Sequence, residues 1–426
     1  MKIHLDMVGC RLNQAEIEQM AGQFRAQGHS LVGSASEAEL VVVNTCSVTG
    51  EAASDSRQKI RQAARASAGQ IVVTGCWATL QPAQAASLPN VLRVIPNQDK
   101  DNLVRNVLES VEAPEPHIFE LEPIARAPLP GLRQRTRAFI KAQDGCDNAC
   151  TFCITTVARG ASRSRPAAQV IADIHAALSG GTREIVLTGV HLGSWGQDFN
   201  LRLRHLIEMI LKETDTPRLR LSSLEPWDLD EEFFSLWSDA RLCAHLHLPL
   251  QSGSAAVLKR MLRKTSPQAF RSLVRSARAS IPGAAITTDV IAGFPAESQA
   301  EFAETLDFVR EMEFAGGHVF HYSARPGTAA ARIREQVPSE LRKHRSQQLR
   351  AVFDEMSSAY RKQFIGQTLS VLWEASAVRS ADGWQIEGLT GNYIPVSANA
   401  PEPRWNKLDQ VHLTALTSTG LNGVIV

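Results

Sequence analysis

Three cysteines with the spacing C-x3-C-x2-C lie in the stretch Asp144-Gly145-Cys146-Asp147-Asn148-Ala149-Cys150-Thr151-Phe152-Cys153. Thiolates are ligands of zinc and of iron–sulfur clusters. Structural zinc sites usually have four protein ligands, and no histidine lies nearby in the sequence to provide the fourth. Three thiolates can instead hold three irons of a cubane cluster and leave the fourth iron open. The spacing therefore favours an iron–sulfur cluster, with a structural metal knuckle as the alternative.

The residues around this stretch predict a curved parallel sheet. Strand-like runs alternate with helical stretches from residue 137 onwards, which is the pattern of β-α units. The six runs are residues 137–142, 184–188, 218–222, 245–250, 285–291 and 318–322. Six such units predict a partial barrel, followed by a long helix at about 339–363. The three cysteines would then follow the first strand of that barrel.

Residues 1–112 show a second alternation of strand and helix, which predicts a separate parallel α/β domain. Its three cysteines, Cys10, Cys46 and Cys76, each follow a strand-like run. Because the carboxyl ends of parallel strands meet at one edge of a sheet, we expect these thiols to converge there and to hold a second cluster. The alternative is three unrelated buried cysteines, since a free cysteine is commonly buried.

The rest of the chain divides into a linker, a core and a barrel. Residues 113–131 contain five prolines and are interpreted as a linker. Residues 132–363 form the predicted core with six β-α units. Residues 364–426 show four short alternating strands, at 368–373, 383–387, 392–396 and 410–415, which predict a small β-barrel. The expected fold class is thus α/β with a C-terminal β-barrel.

Composition excludes several classes of protein. Of 426 residues, 44% are hydrophobic and 21% are charged, as in ordinary globular proteins and unlike disordered or fibrous chains. Seven cysteines are too few for a disulfide scaffold, and Cys243 is interpreted as a buried structural thiol. The chain shows neither an apolar run of about 18 residues nor a secretory signal at its start. We therefore expect a cytoplasmic protein without a membrane partner.

The cysteine spacing, with an aromatic residue before the last cysteine and a partial (β/α)6 barrel around it, resembles the radical S-adenosylmethionine (SAM) superfamily. The resemblance implies a 4Fe–4S cluster held by Cys146, Cys150 and Cys153, with SAM bound to the open iron. It also implies a low-potential electron donor and cleavage of SAM to a 5′-deoxyadenosyl radical. Phe152 would lie near the adenine of SAM, or else serve as a packing residue.

Motifs along the whole chain resemble the methylthiotransferase family. They are Gly9-Cys10-Arg11-Leu12-Asn13, Asn44-Thr45-Cys46, Thr74-Gly75-Cys76, Leu187-Thr188-Gly189, Leu221-Ser222-Ser223-Leu224-Glu225-Pro226, Leu250-Gln251-Ser252-Gly253-Ser254 and Tyr322-Ser323-Ala324-Arg325-Pro326-Gly327-Thr328. This family inserts sulfur into an unactivated C–H bond and adds a methyl group. The resemblance implies two 4Fe–4S clusters, the second on Cys10, Cys46 and Cys76. The residues predicted to contact SAM, besides Phe152, are Gly189, Glu225, Gln251 and Asp289.

The family has three branches with different substrates. Cys46-Ser47-Val48-Thr49 and Ser56-Arg57-Gln58-Lys59-Ile60-Arg61 look most like the branch that acts on C2 of N6-threonylcarbamoyladenosine beside the tRNA anticodon. The alternatives are N6-isopentenyladenosine in tRNA and an aspartate of a ribosomal protein. A hypothesis from a different class is a non-catalytic iron–sulfur protein that binds RNA or senses redox state.

Two local concentrations of positive charge suit an RNA backbone. Residues 257–280 contain seven basic and no acidic residues, and residues 132–166 contain seven basic against two acidic residues. The predicted RNA contacts are Lys259, Arg260, Arg263 and Lys264, and the alternative is a solvated helix face. The C-terminal barrel resembles the TRAM domain but has three basic against five acidic residues. We therefore expect the core to attract the tRNA and the barrel to position the anticodon arm.

Overall fold

The N-terminal part of the chain is a five-stranded parallel sheet with the order β2-β1-β3-β4-β5. The computed structural model describes residues 1–66, 69–108, 136–380 and 383–426. The elements are β1 (Lys2–Met7), α1 (Arg11–Ala26), β2 (Ser30–Leu31), β3 (Leu40–Thr45), α2 (Gly50–Ala66), β4 (Gln70–Gly75), α3 (Cys76–Leu80), α4 (Pro82–Ala86), β5 (Val91–Ile95) and α5 (Leu103–Leu108). Strands β2 and β5 were not predicted, because one is only two residues long and the other is a partly exposed edge strand.

Helices cover both faces of this sheet. In β3, Val41 and Val43 pack in one apolar cluster and Leu40 and Val42 pack in another. Successive residues of a strand point to opposite faces, so a strand buried on both sides is a continuous apolar run. This explains why the run Leu40-Val41-Val42-Val43 could be recognised in the sequence.

Six parallel strands form the middle of the chain, as predicted. The elements are β6 (Arg137–Lys141), β7 (Gln143–Asp144), α6 (Thr155–Arg159), β8 (Arg163–Ser164), α7 (Ala167–Ser179), β9 (Glu184–Thr188), α8 (Leu203–Glu213), β10 (Leu219–Leu221), α9 (Glu231–Phe234), β11 (His245–His247), α10 (Ala255–Arg260), α11 (Pro267–Ser280), β12 (Ala285–Ala292), α12 (Gln299–Met312), β13 (Gly316–His321) and α13 (Ser339–Lys362). Strands β6, β9 and β10 form one sheet, and β11, β12 and β13 form another. The bridges Leu219–Leu242 and Ser223–His247 join the two into a partial barrel.

The inner face of this barrel is covered at one side by the first domain. Ala138 and Ile140 face the outer helices, whereas Phe139 and Val186 pack against Ala15 of α1. Helix α1 therefore lies against the concave side of β6 and β9. This contact brings the carboxyl ends of both sheets close together.

The C-terminal residues form a closed barrel with the order β14-β15-β16-β18-β17. Its strands are β14 (Thr368–Ser380), β15 (Gly383–Thr390), β16 (Pro395–Ala400), β17 (Leu408–Leu416) and β18 (Leu421–Ile425). The sequence predicted four of these strands and missed β18. The predicted linker at 113–131 lies outside the described residues, and the predicted domain boundaries stay predictions. Within the described residues, no helix combines the length and the apolar character needed to cross a bilayer.

Buried charges attach this barrel to the core. The fully buried Glu184 forms ion pairs with Arg220 at 2.7 Å and with Arg218 at 2.8 Å. Both guanidinium groups also donate hydrogen bonds to backbone carbonyls of residues 389–391. Burial alone would raise the pKa of Glu184, but the two arginines lower it to about 2. The loop between β15 and β16 is thereby fixed to the core.

Tyr393 of the same loop is a packing residue. Its ring stacks on His245 with the centroids 4.8 Å apart, and the guanidinium carbon of Arg220 lies 4.8 Å from the ring. Arg11 of the first domain donates a hydrogen bond of 3.2 Å to its hydroxyl. Tyr393 thus contacts all three parts of the chain, and its ring is not available to stack on a base.

Candidate active site at two cysteine triads

Cys146, Cys150 and Cys153 lie in the loop between β7 and α6, and each sulfur accepts a hydrogen bond. The donors are the backbone N–H of Asn148 to Cys146 at 3.5 Å, Nη1 of Arg263 to Cys150 at 3.7 Å, and the backbone N–H of Thr155 to Cys153 at 3.4 Å. Hydrogen-bond donors stabilise the thiolate relative to the thiol. The loop is therefore suited to hold three anionic sulfur ligands.

His191 adds a positive charge beside Cys146. Its Nε2 lies 2.6 Å from Oδ2 of Asp228, and its Nδ1 lies 3.3 Å from Nδ2 of Asn148. Burial lowers the pKa of His191, but hydrogen bonds with Asp228 and Cys146 raise it to about 10. The contact with Asp228 therefore favours the protonated form of this ring. His191 was not predicted from the sequence, although it lies two residues after the motif Leu187-Thr188-Gly189.

Arg263 belongs to this triad and not to an RNA-binding surface. Its side chain is 1% exposed, and it forms two hydrogen bonds with the carboxylate of Glu225, at 3.1 and 2.6 Å. Its guanidinium carbon lies 4.5 Å from the ring of Trp227. The predicted phosphate contact of Arg263 is therefore wrong, because a buried guanidinium that is already paired cannot reach a polyanion. Glu225 remains a predicted SAM contact, with one side of its carboxylate occupied by Arg263.

The cysteines of the first domain follow β1, β3 and β4, and two glycines allow them to approach one another. Gly9 has φ +115°, and a Cβ there would lie 2.7 Å from the sulfur of Cys46. Gly75 has φ +99° and lies against the backbone of Thr45. Only glycine adopts these conformations without strain and leaves this space free. The predicted convergence at the edge of the sheet has this local cause.

Asparagines contact two sulfurs of this second triad. Oδ1 of Asn13 lies 3.8 Å from Sγ of Cys10, and Nδ2 of Asn97 donates to Sγ of Cys76 at 3.5 Å. Burial raises the pKa of the Cys46 thiol to about 11, and the neighbouring thiols of Cys10 and Cys76 act in the same direction. Gly9, which precedes Cys10, lies against the sulfur of Cys46, so these two cysteines are neighbours.

Asn97 connects the first-domain triad to the helix that follows the core cysteines. Besides Cys76, its Nδ2 contacts the backbone carbonyl of Ala158 in α6 at 2.8 Å. Helix α6 begins two residues after Cys153, and it packs against α3, which begins at Cys76. One amide side chain therefore contacts both a cysteine of the first domain and the helix that follows the core cysteines.

A buried charge network makes the second connection. Arg159, at the end of α6, donates to Glu16 at 2.8 Å, to Asp144 at 2.9 Å and to Asn13 at 2.9 Å. Lys100 donates to Glu16 at 2.8 Å. Because of these cations the pKa of Glu16 lies well below its usual value, although burial opposes this. A buried network of this kind is rigid when all its members are paired.

The two triads fit iron–sulfur clusters better than single metal ions. Among the described residues, no three His, Cys, Asp or Glu side chains are arranged closely enough to hold one ion. A cubane cluster separates its thiolate ligands more widely than one ion does, and cysteines are its usual ligands. The hydrogen bonds donated to these sulfurs are also typical of the surroundings of metal-bound cysteines.

The remaining predicted SAM contacts lie around the carboxyl ends of the core strands. A Cβ at Gly189 would lie 2.9 Å from Oε1 of Gln143, so this glycine allows a close approach. Gln251 has φ +70° and pairs with β12 through its backbone. Asp289 lies 3.2 Å from Nε2 of His247, and Phe152 packs in a satellite apolar cluster. Their contacts with SAM stay predictions.

The basic stretches carry less free charge than their sequence suggests. In residues 257–280, Lys259 and Lys264 are exposed, but Arg260 pairs with Glu301 and Arg271 with Glu311. In residues 132–166 the predicted phosphate-binding role is wrong for Lys141 and Arg159, which are buried and paired with acids. Arg133 and Arg135 lie outside the described residues. Many of these basic side chains therefore form ion pairs that hold parts of the chain together.

Two family models match the chain. Residues 2–95 match "Uncharacterized protein family UPF0004", and residues 140–309 match the radical SAM superfamily. A threonylcarbamoyladenosine tRNA methylthiotransferase of Bacillus subtilis, named MtaB, is 35% identical over 95% of this chain and 92% of its own length. This chain belongs to the radical SAM methylthiotransferase family. As a methylthiotransferase it is an enzyme with SAM and two 4Fe–4S clusters as its cofactors, as predicted.

Two further comparisons concern the other tRNA branch of the methylthiotransferase family and the fold. A tRNA-2-methylthio-N(6)-dimethylallyladenosine synthase of Bacillus pumilus is 30% identical over the whole chain and 86% of its own length. The radical SAM methyltransferase TsrM of Kitasatospora setae has a TM-score of 0.59 and 14% identity, and the match covers 78% of this chain and 74% of TsrM. At that identity TsrM supports the fold alone.

Proposed function

We propose that this enzyme methylthiolates C2 of N6-threonylcarbamoyladenosine next to the anticodon of tRNA, giving 2-methylthio-N6-threonylcarbamoyladenosine. The observation that carries the proposal is the contact of Asn97 with both Cys76 of one triad and Ala158 in the helix that follows the other triad. The reaction combines radical formation with sulfur delivery. It therefore requires one cysteine triad with its cofactor on each side of the substrate atom. We place the enzyme with its substrate tRNA in the cytoplasm.

Six cysteines hold the cofactors in this proposal. Cys146, Cys150 and Cys153 are the ligands in the core, and Cys10, Cys46 and Cys76 are the ligands in the first domain. When bound, the clusters and SAM supply the electron from the low-potential donor, the hydrogen-abstracting radical and the methylthio group. The protein contributes position and charge. His191 and Arg263 place cations beside Cys146 and Cys150, and such neighbours stabilise thiolate ligands.

The threonylcarbamoyl substrate is supported over the isopentenyl substrate by the relatives. Relatives named for threonylcarbamoyladenosine reach 35% identity, whereas those named for dimethylallyladenosine reach 31%. The motif from Ser56 to Arg61 supports the same branch, and Ser56 accepts a hydrogen bond from the backbone N–H of Cys46 at 3.0 Å. One residue of the stretch that resembles this branch therefore contacts a cysteine of the second triad.

The experiment is mass spectrometry of tRNA nucleosides from cells that lack and then regain the gene. The proposed function predicts loss and return of 2-methylthio-N6-threonylcarbamoyladenosine, with its unmethylthiolated precursor accumulating in between. Loss of 2-methylthio-N6-isopentenyladenosine instead would assign the enzyme to the other tRNA branch. Unchanged tRNA nucleosides together with an altered ribosomal protein would reject a tRNA substrate.

A further inference from the structure

Arg325 is a core residue whose side chain lies near the segment that follows Cys46. It lies between β13 and α13, and its carbonyl accepts hydrogen bonds from the N–H and the hydroxyl of Thr328, at 3.1 and 2.8 Å. A Cβ at Gly50 would lie 3.9 Å from its Nη1, so the side chain lies beside the loop that follows Cys46. Burial lowers the pKa of Arg325, and the thiol of Cys46 opposes this effect.

Among the described residues, no acidic side chain forms an ion pair with the guanidinium of Arg325. Its Nε and Nη2 are buried, and neither has a hydrogen-bond partner in the part of the chain that the structure describes. Other buried guanidinium groups also leave Nε unpaired, but their terminal nitrogens are paired, as in Arg263 with Glu225 and Arg345 with Glu297. Buried donors of a charged group are normally satisfied. The arrangement indicates that an anionic ligand completes this site.

The segment around Arg325 lies at the surface. The neighbours Ala324, Pro326 and Gly327 are exposed, so a polymer can pass over this segment. Several arginines expected to bind phosphate are instead paired with acids, as Arg260 and Arg271 are. Arg325 is free of such an acid partner, and a guanidinium fork matches the geometry of a phosphate group.

We propose that Arg325 binds a backbone phosphate flanking the target adenosine and so holds that nucleotide between the first domain and the core. This inference rests on the proposed tRNA substrate. The contact fixes the sugar–phosphate backbone at the edge of the site, while the base extends towards the space between the triads. Because the phosphate carries no sequence information, the contact positions the nucleotide without selecting it.

The test is equilibrium binding of anticodon stem-loop RNA to the reconstituted full-length enzyme, with Arg325→Gln and Arg325→Lys. The matched control is Lys343→Gln, which removes one exposed charge on α13. The RNAs are a stem-loop with N6-threonylcarbamoyladenosine, the same RNA with uncharged methylphosphonates on both sides of that nucleotide, and a stem-loop with unmodified adenosine. Iron content and the electron paramagnetic resonance spectrum of each variant are recorded as well.

We expect Arg325→Gln to weaken binding of the first RNA about tenfold, as for the loss of one charge-assisted hydrogen-bonded pair. The slope of log K against log salt should fall by about 0.7, the value for one single-stranded phosphate. Arg325→Lys should retain part of the affinity, and the control should retain nearly all. The methylphosphonate RNA should bind the wild type weakly, and Arg325→Gln should not lower its affinity further.

Three results would overturn the proposal. A loss that persists on methylphosphonate RNA but vanishes on unmodified adenosine would assign Arg325 to the threonyl carboxylate. An altered cluster spectrum with unchanged RNA binding would assign it to the cluster of the first domain. Unchanged binding and spectra would leave Arg325 without a ligand role. If the wild type itself neither binds nor modifies the stem-loop, the proposed function fails, which is distinct from a failure of the variant alone.

Discussion

Arg159 and Glu16 form a buried ion pair, with 2.8 Å between Nη1 and Oε1 and with at most 2% of either side chain exposed. Arg159 ends the helix that follows the core cysteines, and Glu16 lies six residues after Cys10. The pair therefore joins the two halves of the active site. Its neighbours Asp144 and Lys100 extend the network towards both triads.

Replacing Arg159 should abolish methylthiolation but not the cleavage of SAM. Arg159→Gln leaves Glu16 and Asp144 without their shared cation, and breaking a buried pair in this way costs about 3–5 kcal/mol. We expect lower stability and loss of the methylthiolated product, with 5′-deoxyadenosine still formed. The measurement is chemical denaturation combined with chromatography of both products. Arg163→Gln is the control, because Arg163 is 47% exposed and lies 3.8 Å from Asp144. Equal effects of both variants would show that the buried pair is unimportant.

Cysteine variants should distinguish the two clusters. Cys150→Ala removes one of the core ligands and should abolish both 5′-deoxyadenosine and the methylthiolated product. Cys76→Ala should retain 5′-deoxyadenosine and lose the product, because the core triad can still assemble and Asn97 keeps its contact with Ala158. The measurement is iron content after anaerobic reconstitution, followed by chromatography of both products from one reaction.

Cys243→Ala is the matched control for the cysteine variants, since Cys243 is buried away from both triads and should retain both products. Full methylthiolation by Cys76→Ala would refute a ligand role for the first-domain triad. Loss of radical formation in Cys76→Ala, with a normal circular dichroism spectrum, would contradict the independent assembly of the core cluster.

Arg263 and its exposed neighbours should behave differently although they are adjacent in sequence. Arg263→Ala removes the donor to Cys150 and leaves Glu225 unpaired, so we expect a changed cluster spectrum and less 5′-deoxyadenosine, with tRNA affinity retained. The double variant Lys259→Ala and Lys264→Ala should instead lower tRNA affinity and its salt dependence, and leave the cluster unchanged. Two measurements distinguish these variants. They are tRNA binding at several salt concentrations and the spectrum of the cluster. The reverse pattern would restore the phosphate-binding role of Arg263.

Attachment of the C-terminal barrel should be sensitive to acid through Glu184. Its pKa is lowered from 4.5 to about 2, so its stabilisation is complete above pH 4.5 and is lost as the pH falls towards 2. The shift corresponds to about 3 kcal/mol. Unfolding measured at pH 7 and at pH 3 should show a smaller difference in Glu184→Gln than in the wild type. Glu340→Gln, at an exposed position, should keep the dependence of the wild type. An identical pH dependence in Glu184→Gln would show that this group does not couple folding to protonation.

The sequence by itself determined the fold class and the cysteine chemistry. The apolar runs of β3 and β4, the six β-α units and the C-x3-C-x2-C spacing are local patterns, and local patterns are visible in a linear chain. The glycines that precede Cys10 and Cys76 are likewise visible in the sequence. Strand β2 was missed because it is only two residues long, and β5 and β18 were missed because exposed residues interrupt their apolar patterns.

Only the tertiary structure decided which charges serve the site. Arg159 and Glu16 are 143 residues apart in the sequence, and Arg263 and Glu225 are 38 residues apart. A stretch of basic residues gives the local charge but not the acids that other segments bring next to it. Arg263 and Arg159 therefore resembled phosphate ligands in the sequence and proved to be buried partners of carboxylates. Arg325 was part of a family motif, and only its unpaired, buried guanidinium distinguishes it, because the absence of a partner is a property of the folded chain.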